Sequence, residues 1–453
     1  MSGARDDSVL IAGAGLAGLT AGYRLQHRGY SVQVFEKKPH AGGRVYSFED
    51  DRTGDAVDNG QHVYLGCCRS LLDLLQELDV PVRDQLQDQL ELTVRTPEEG
   101  NHHLCESSWL PYPLHLLPVL LNASFLSWAD RYRIAQCFLS IYAMSKTDRK
   151  ALDHRTMASW LQEHNQSEHA IQSFWNIFII STLNAPAKQV SAASAIFVFQ
   201  EGLMSTKDAG RIGYADRGQS PFYIDPLIRA FQQSGGTLSR RSTVRKLCFE
   251  GDRCHGVELK GGEYHEASSV IVTLPPWALT DISGFSHFPS ELQTQIQSFQ
   301  SAPIICVNFW LDSTILDESF VALTDATFDW VFQRNRIENR QEAVPQHLTL
   351  VKSAAYDELT HSPTELQSAA EQDLSRLYPG FDPDTVSHAR VTKEPRATFV
   401  PEPGITVSRP DQDPSVDGLY LAGAWTNTGW PSTMESAVRS GERVASCIAG
   451  NKP

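Results

Sequence analysis

The chain lacks the basic excess that nucleic-acid-binding proteins need. Among its 453 residues, 39 are Lys or Arg and 54 are Asp or Glu, which gives a formal net charge of −15. Because nucleic acids are bound through clustered basic side chains, a nucleic-acid partner is not expected. The same acidic balance argues against attachment to anionic lipid by charge alone.

Cysteine is sparse, and its spacing fits no metal site. Cys67 and Cys68 are adjacent and the other six are scattered, so we expect reduced, buried thiols in a cytoplasmic protein. His102 and His103 are predicted to lie in a polar loop without further ligands at a suitable spacing, so no metal is expected. The polar amino terminus shows no secretory signal pattern.

No apolar run is long enough to cross a membrane as a helix. Residues 110–128 are apolar and aromatic, but Pro111, Pro113 and Pro118 interrupt them, and a spanning helix needs about 20 apolar residues. Two interpretations stay open: the wall of a large internal apolar pocket, or a surface element that enters one leaflet of the inner face of the cytoplasmic membrane. Residues 174–180 are expected in the core.

The most informative stretch that is present is residues 8–44. A short apolar strand runs into the pattern Gly13-x-Gly15-x-x-Gly18, a helical pattern follows, and a second strand ends at Glu36. The first glycine permits a tight turn, the second lets backbone N–H groups approach a pyrophosphate, and the third allows close helix packing. Glu36 stands at the offset where a carboxylate accepts hydrogen bonds from ribose hydroxyls. The pattern predicts a dinucleotide site.

A second signature closely follows Glu36, where Gly42, Gly43 and Arg44 are consecutive. The glycine pair allows another close backbone approach, and arginine offers a forked donor for phosphate oxygens. This extension resembles the flavin amine oxidase and carotenoid desaturase superfamily. The resemblance implies FAD as the cofactor, with these three residues at its diphosphate.

The carboxyl end supplies an independent match to the same superfamily. Residues 418–444 predict a strand at 419–421, a close approach at a glycine, and a helix from 434. The resemblance implies that this segment lies at the diphosphate, the ribityl chain and the isoalloxazine edge. The cofactor contacts that it implies are those of Gly423, Ala424, Met434 and Glu435.

The resemblance also implies how the chain is divided. We expect an α/β fold with a discontinuous Rossmann-like FAD-binding domain of the GR2 type and an α+β substrate domain. In the resembled family a hairpin block such as residues 236–283 belongs to the FAD domain, with the backbone at Val244 against adenine. The predicted FAD-binding segments are 1–75, 215–285 and 385–453, and the predicted substrate-binding segments are 76–214 and 286–384.

The tetrapeptide Asn59-Gly60-Gln61-His62 distinguishes the chain within the superfamily. Together with the runs at 110–128 and 183–199, it is similar to the squalene-associated members, the hydroxysqualene dehydroxylases of squalene and hopanoid synthesis. The resemblance implies a C30 isoprenoid substrate and reductive removal of its allylic hydroxyl. The residues expected to contact that substrate are Asn59, Gln61, Tyr64, Trp425 and Trp430.

Removal of a hydroxyl needs a proton donor, because hydroxide is a poor leaving group. His62 is the candidate, since imidazole carries a proton near neutral pH, and Asp58 is the candidate to orient or charge it. Both residues also have structural interpretations: His62 as a hydrogen-bonding residue, and Asp58 as the cap of a turn with Asn59 and Gly60.

Two other functions stay open on the sequence. An oxidising relative, either a carotenoid-type desaturase or an amine oxidase, would use the same cofactor site. A non-catalytic prenyl-lipid carrier would share the fold without FAD. The sequence shows no nicotinamide fingerprint besides the first glycine motif, so the electron donor is unidentified.

Overall fold

Two large sheets organise the fold of the computed structural model, which describes residues 7–340 and 345–450. The strands are β1 Ser8–Ala12, β2 Ser31–Glu36, β3 Ser47–Glu49, β4 Ala56–Asp58, β5 Val63–Leu65, β6 Glu91–Thr96, β7 Gly100–Cys105, β8 Ile212–Tyr214, β9 Thr237–Arg240, β10 Val244–Glu250, β11 Arg253–Leu259, β12 Tyr264–Glu266, β13 Ser269–Val272, β14 Ser301–Leu311, β15 Phe320–Leu323, β16 Trp330–Gln333, β17 Gln346–Ser353, β18 Val386–Phe399 and β19 Leu419–Leu421.

Helices connect and cover the sheets. They are α1 Leu16–Gln26, α2 Arg69–Glu77, α3 Leu117–Asn122, α4 Trp128–Ala143, α5 Lys146–Ala151, α6 Met157–Glu163, α7 Glu168–Ala170, α8 Asn176–Leu183, α9 Ala192–Gly202, α10 Asp225–Gln233, α11 Pro276–Leu279, α12 Ser290–Ser298, α13 Arg334–Ile337, α14 Pro363–Leu377, α15 Ile405–Ser408 and α16 Met434–Ile448.

The first sheet is parallel and has the order β19-β13-β1-β2-β9. The inner strands β1 and β13 are buried on both faces, which explains their continuous apolar runs. On β1, Val9 and Ile11 pack in the core beneath helices α1, α10 and α16. Leu10 points to the opposite face, where it packs in the core with the three-stranded sheet β10-β11-β12. The sheet therefore brings the amino-terminal and carboxyl-terminal strands together, as predicted.

The second sheet has seven strands in the order β18-β14-β17-β16-β15-β6-β7. Side chains alternate between the two faces of β14. Ile305, Val307 and Phe309 join the core beneath α14, and Cys306 joins the core beneath the helices of residues 128–202. Strand β18, near the start of the predicted segment 385–453, is a member of this second sheet. The domain division at that point stays a prediction.

One local expectation is wrong: His102 and His103 lie on β7, not in a polar loop. The alternation of buried and exposed residues on this strand matches its antiparallel pairing with β6. His102 points inward, where its Nδ1 lies 2.7 Å from Ser124 Oγ. Within the described ranges, no group of three or more His, Cys, Asp or Glu side chains could hold a metal ion.

Residues 110–128 form a short turn and α3, with apolar side chains on two opposite sides. Leu116 and Leu120 are buried, whereas Leu114 and Leu121 are exposed. The run 174–180 lies in the core, as predicted. Between residues 7 and 340 and between 345 and 450, no helix has both the length and the apolarity for crossing a membrane.

We predict that Gly441→Ala destabilises the protein. Helix α16 packs so closely on α1 that a Cβ at Gly441 would lie 2.5 Å from the Ala17 carbonyl oxygen. Overpacking of this kind lowers the free energy of unfolding by about 1–3 kcal/mol, measurable by urea unfolding. Gly202→Ala is the control, because its Cβ would meet Leu65 at 3.6 Å. Equal stability of the two variants would contradict the prediction.

Candidate active site

The first glycine turn is shaped by contacts that exclude side chains. Gly13 has φ +110°, and a Cβ there would lie 2.6 Å from Thr273 Oγ1. A Cβ at Gly18 would lie 2.1 Å from the Gly13 carbonyl oxygen. Helix α1 then begins after Gly15, which has no side chain to cap it, and the first turn contains no acidic residue. The N-terminal N–H groups of α1 are thus suited to an anion such as a pyrophosphate.

Glu36 ends β2 beside this turn, and its carboxylate is buried. Oε2 accepts a hydrogen bond from the Ala14 N–H at 3.0 Å, and Oε1 accepts one from the Lys38 N–H at 2.8 Å. A carboxylate has about four lone-pair sites, so capacity remains for ribose hydroxyls. The Glu36 carbonyl accepts from Ser242 N–H at 2.8 Å, which brings the start of β10 at Val244 to the same edge.

The second glycine turn lies directly against the first. The Gly42 N–H donates to the Ala14 carbonyl at 2.8 Å, and a Cβ at Gly43 would lie 3.2 Å from Gly15 Cα. Arg44 follows, and its Nη1 donates to the Ala397 carbonyl on β18 at 2.7 Å. Burial lowers the pKa of Arg44 from its usual value. The three residues predicted for the diphosphate are therefore adjacent to the first turn.

The carboxyl-terminal glycine lies at the same edge of the parallel sheet. Gly423 follows β19, has φ +139°, and its N–H donates to Ser440 Oγ at 2.9 Å. The loop after it is held by Arg409, whose guanidinium donates to the carbonyls of Ala424 at 2.8 Å and Trp425 at 3.2 Å and also to the Trp430 carbonyl. Burial lowers the pKa of Arg409 to about 9. This loop-holding residue has no local sequence signature.

Helix α16 begins at Met434, which is buried beside this loop. The side chain of Glu435 turns away from the expected flavin contact. Its carboxylate accepts from Ser70 N–H at 3.1 Å and Leu71 N–H at 2.8 Å, which caps the start of α2. Arg439 Nε also donates to it at 2.6 Å. Only the backbone of Glu435 is left for a cofactor contact.

The Asn59–His62 segment lies against the seven-stranded sheet. The Asn59 carbonyl accepts from Thr392 Oγ1 on β18 at 3.3 Å. Asn59 Oδ1 accepts from the Tyr46 N–H at 3.3 Å. Gln61 Oε1 accepts from Arg334 Nη1 at 2.7 Å. The amide side chains of Asn59 and Gln61 are therefore tied to protein groups, and their predicted contacts with substrate stay predictions.

His62 is half-buried, and its Nδ1 lies 2.8 Å from the Gly60 carbonyl oxygen. Because a carbonyl only accepts, Nδ1 carries a hydrogen, and Nε2 is the atom that gains or loses a proton. Burial lowers the pKa of His62, and the Arg44 guanidinium adds to this effect. The Gly60 carbonyl, the Asp58 carboxylate and the Gln219 side chain oppose it.

Asp58, which was expected to orient or charge His62, has its carboxylate held by other groups. Its Oδ1 accepts from Ser47 Oγ at 2.7 Å and from Gln219 N–H at 3.0 Å. Its Oδ2 lies 3.3 Å from Nη2 of Arg334, which is itself buried. Asp58 therefore acts on His62 only through space. Sequence reasoning missed Arg334 and Gln219, which reach this segment from more than 150 residues away.

Two of the aromatic residues expected at the substrate belong to the core instead. Tyr64 is 2% exposed, and its hydroxyl donates to the Val82 carbonyl at 2.7 Å. Trp425 is 2% exposed, and its indole N–H donates to the Leu274 carbonyl at 3.0 Å. Trp430 is half-buried and packs edge-on against Phe197, with ring centroids 5.3 Å apart. Trp430 alone of the three keeps an accessible surface large enough for a substrate contact.

Comparison with known proteins decides the family. The profile of the family described as flavin containing amine oxidoreductase matches residues 16–449. The chain belongs to this family. The protein is thus an FAD-dependent oxidoreductase of the amine oxidase and desaturase superfamily, and FAD is its cofactor. The fold confirms the α/β class predicted from the sequence.

Two curated relatives match nearly the whole chain. Hydroxysqualene dehydroxylase from Zymomonas mobilis subsp. mobilis is 27% identical over 446 residues, which cover 96% of this chain and 97% of the relative. The 15-cis-phytoene desaturase from Synechococcus elongatus is 22% identical and covers 97% and 95%. The crystal structure of an oxidoreductase from Methanosarcina mazei superposes with a TM-score of 0.74 at 18% identity, covering 96% and 99%, and shows the shared fold.

The residues at the sheet edge fit the flavin dinucleotide. The cradle at Gly13 and Gly18 would be filled by any Cβ, and the uncapped start of α1 opens beside it. We therefore expect the two glycine turns and Arg44 to hold the diphosphate, Glu36 to hold ribose, and the backbone after Gly423 to lie along the flavin.

We predict that Gly13→Ala weakens FAD binding at least about tenfold, because the new methyl group would collide with Thr273 and distort the turn that approaches the pyrophosphate. Gly261→Ala is the control, since a Cβ at that position has no atom within 4 Å. Fluorescence titration of the FAD-free proteins measures both dissociation constants. Unchanged affinity in Gly13→Ala would remove this turn from the cofactor site.

Proposed function

We propose that the protein reduces hydroxysqualene to squalene. The observation that carries the proposal is the half-buried imidazole of His62. Its Nδ1 is fixed by the Gly60 carbonyl, which leaves Nε2 as the atom that gains or loses a proton. The 27% identical relative, which is aligned over nearly its whole length, is named for this reaction. The second candidate is desaturation, which the name of the cyanobacterial relative favours.

The reaction needs one proton and one hydride. The allylic C–O bond breaks, a C–H bond forms at the same carbon, and the oxygen leaves as water after it gains a proton. FAD, when bound in its reduced form, supplies the hydride. The protein must deliver the proton to the departing oxygen, and His62 Nε2 is the group that we assign to this role.

A row of aromatic rings begins on the strand that pairs with β5, directly after His62 in the chain. Strand β5, which follows His62, pairs with β8 so that Val63 is opposite Tyr214. The Tyr214 ring contacts Phe320 with centroids 6.3 Å apart, and Phe320 contacts Trp330 at 6.2 Å. This row of aromatic rings offers apolar contact area, and ring faces also stabilise developing allylic cation character.

A single-turnover experiment separates the candidate reactions. The purified FAD protein is reduced with dithionite under anaerobic conditions and mixed with hydroxysqualene, and the oxidised protein is mixed with phytoene. The proposal expects a product that has lost one oxygen atom, together with reoxidation of the flavin. Loss of two hydrogen atoms from phytoene without conversion of hydroxysqualene would establish the desaturase instead.

We predict that His62→Gln keeps bound FAD but lowers the rate of hydroxysqualene reduction by about 10²–10⁴-fold, the usual contribution of a positioned acid. The matched control is His103→Gln, because His103 is exposed on β7 and its loss leaves the site intact. Wild-type rates in His62→Gln would remove this residue from the mechanism.

The proposed role of His62 predicts the direction in which the rate of hydroxysqualene reduction changes with pH. Only protonated His62 can donate, and burial lowers its pKa, so the single-turnover rate of the wild type rises as the pH falls, with a midpoint below about 6.5. His62→Gln is expected to lose this limb of the pH profile. A wild-type rate that falls as the pH decreases over this range would contradict the assignment.

A further inference from the structure

Exposed apolar side chains are concentrated in one part of the chain. Of the twelve large hydrophobic residues that are exposed within the described ranges, eight lie between residues 109 and 142. Trp109 is 82% exposed and Trp128 is 71% exposed. We define the apolar face by the six residues of this group that surround α3 and the start of α4: Trp109, Leu114, Leu117, Leu121, Trp128 and Tyr132.

Packing within the protein does not account for the apolar face. In the turn before α3 and in α3 itself, Leu116, Val119 and Leu120 point into the core. Leu114, Leu117 and Leu121 recur at intervals of three and four residues, so they share the opposite side. A surface helix ordinarily carries polar residues on that side. An apolar outer side indicates that something else covers it.

The two parts of the apolar face are joined by Arg131. Its Nη1 donates to the Leu121 carbonyl at 2.9 Å and its Nε donates to the Leu126 carbonyl at 3.0 Å. The guanidinium carbon lies 4.4 Å from the centroid of the Trp128 ring. The end of α3 and the start of α4 are therefore held together, and the exposed leucines and tryptophan form one surface.

The charges in this region have the opposite sign to the rest of the chain. Residues 107–147 contain Arg131, Arg133 and Lys146, with Asp130 as the one acidic residue. Asp130 is buried and accepts from Ser127 and Ser167 hydroxyls at 2.6 and 2.8 Å. The chain as a whole has a net charge of −15. The Arg131 guanidinium over the exposed Trp128 ring matches the headgroup region of an anionic bilayer, where basic and aromatic groups meet.

We propose that the apolar face docks the protein on a phospholipid bilayer, with its leucines in the acyl boundary and Trp109, Trp128 and Tyr132 at the headgroups. Tryptophan and tyrosine favour that depth because their rings are apolar with one polar edge. The insertion is shallow and reversible, as for other monotopic elements. This inference goes beyond the proposed reaction and does not depend on it.

A surface groove lies between the end of α4 and helix α9. The groove has a volume of about 190 Å³ and is lined by Tyr142 beside the apolar face and by Gln200 on α9. Tyr112, two residues before Leu114 in the chain, contacts the Tyr142 ring with centroids 5.9 Å apart. Phe197, one turn earlier than Gln200 on α9, contacts Trp430 in the loop after Gly423. Ring contacts and the shared groove lining therefore link Tyr112 to Trp430 by way of Tyr142 and α9.

Co-sedimentation of the FAD-loaded protein with vesicles tests the proposal without any substrate, so its outcome is independent of the proposed reaction. The vesicles contain phosphatidylcholine with or without phosphatidylglycerol. The wild type is expected to bind both and to bind the anionic vesicles more tightly. The variant Trp109→Gln/Leu114→Gln/Trp128→Gln is expected to lose at least about tenfold in partitioning, because it removes most of the inserted apolar area.

The control variant is Val407→Gln/Tyr264→Gln, which removes exposed apolar side chains from other parts of the surface and should bind like the wild type. Flavin content and melting temperature show whether each variant folds. As a second measurement, brominated lipids should quench wild-type tryptophan fluorescence, and Trp109→Phe/Trp128→Phe should lose most of that quenching. Absence of vesicle binding by the wild type, equal binding by the triple variant, or dimers in solution that the triple variant abolishes would overturn the proposal.

Discussion

The parallel pairing of β13 with both β1 and β19 is the constraint on which the candidate site depends. In register, Ile271 pairs with Ile11 on one side and with Tyr420 on the other. Strands in a parallel sheet present their carboxyl ends at one edge, so the turn at Gly13 and the turn at Gly423 lie two strands apart. An FAD molecule needs contacts at its diphosphate and along its flavin, and this pairing brings the residues expected for both to one edge. The close packing of α16 on α1 reinforces it.

The site also depends on the buried Arg334 and the half-buried Arg409. Removing a cation from water is costly unless its donors are satisfied. Arg334 is paired with Glu338 at 2.8 Å and with Asp58 at 3.3 Å. The Arg409 guanidinium is satisfied mainly by backbone carbonyls, and burial lowers its pKa to about 9. Arg409 therefore stabilises the loop after Gly423 through these hydrogen bonds. Arg334, which follows the seven-stranded sheet at β16, holds Asp58 and Gln61. Arg409 holds the loop between Gly423 and α16.

Short-range patterns were sufficient for the dinucleotide turn. The turn at Gly13, the helix α1 and the strand that ends at Glu36 follow from glycine positions and apolar periodicity within about 30 residues, and the structure has them at the expected places. The strand at 419–421 and the helix from Met434 were also predictable, because each has its own local pattern. The strand β7 was missed because His102 and His103 are both polar, so the sequence shows no apolar–polar alternation there. In the structure His102 is buried and His103 is exposed, as expected for a strand.

Partners that are distant in the sequence could not be inferred. Asp58 was expected to serve His62, but Gln219 and Arg334 occupy its carboxylate, and no local pattern predicts which of many polar side chains will reach it. Tyr64 and Trp425 were expected at the substrate because they adjoin the motifs, yet burial alone decides that they belong to the core. Glu435 likewise lies at the start of α16, but its partner is the start of α2, 364 residues away at Leu71.

Hydrogen–deuterium exchange with and without FAD tests the central claim most directly, namely that the two ends of the chain form one cofactor site. The account predicts that FAD protects the backbone amides of residues 13–18 and 42–44 together with those of residues 423–436, and that one equivalent of FAD saturates all three segments at once. Protection confined to the amino-terminal segments, or saturation of the carboxyl-terminal segment at a different FAD concentration, would contradict it.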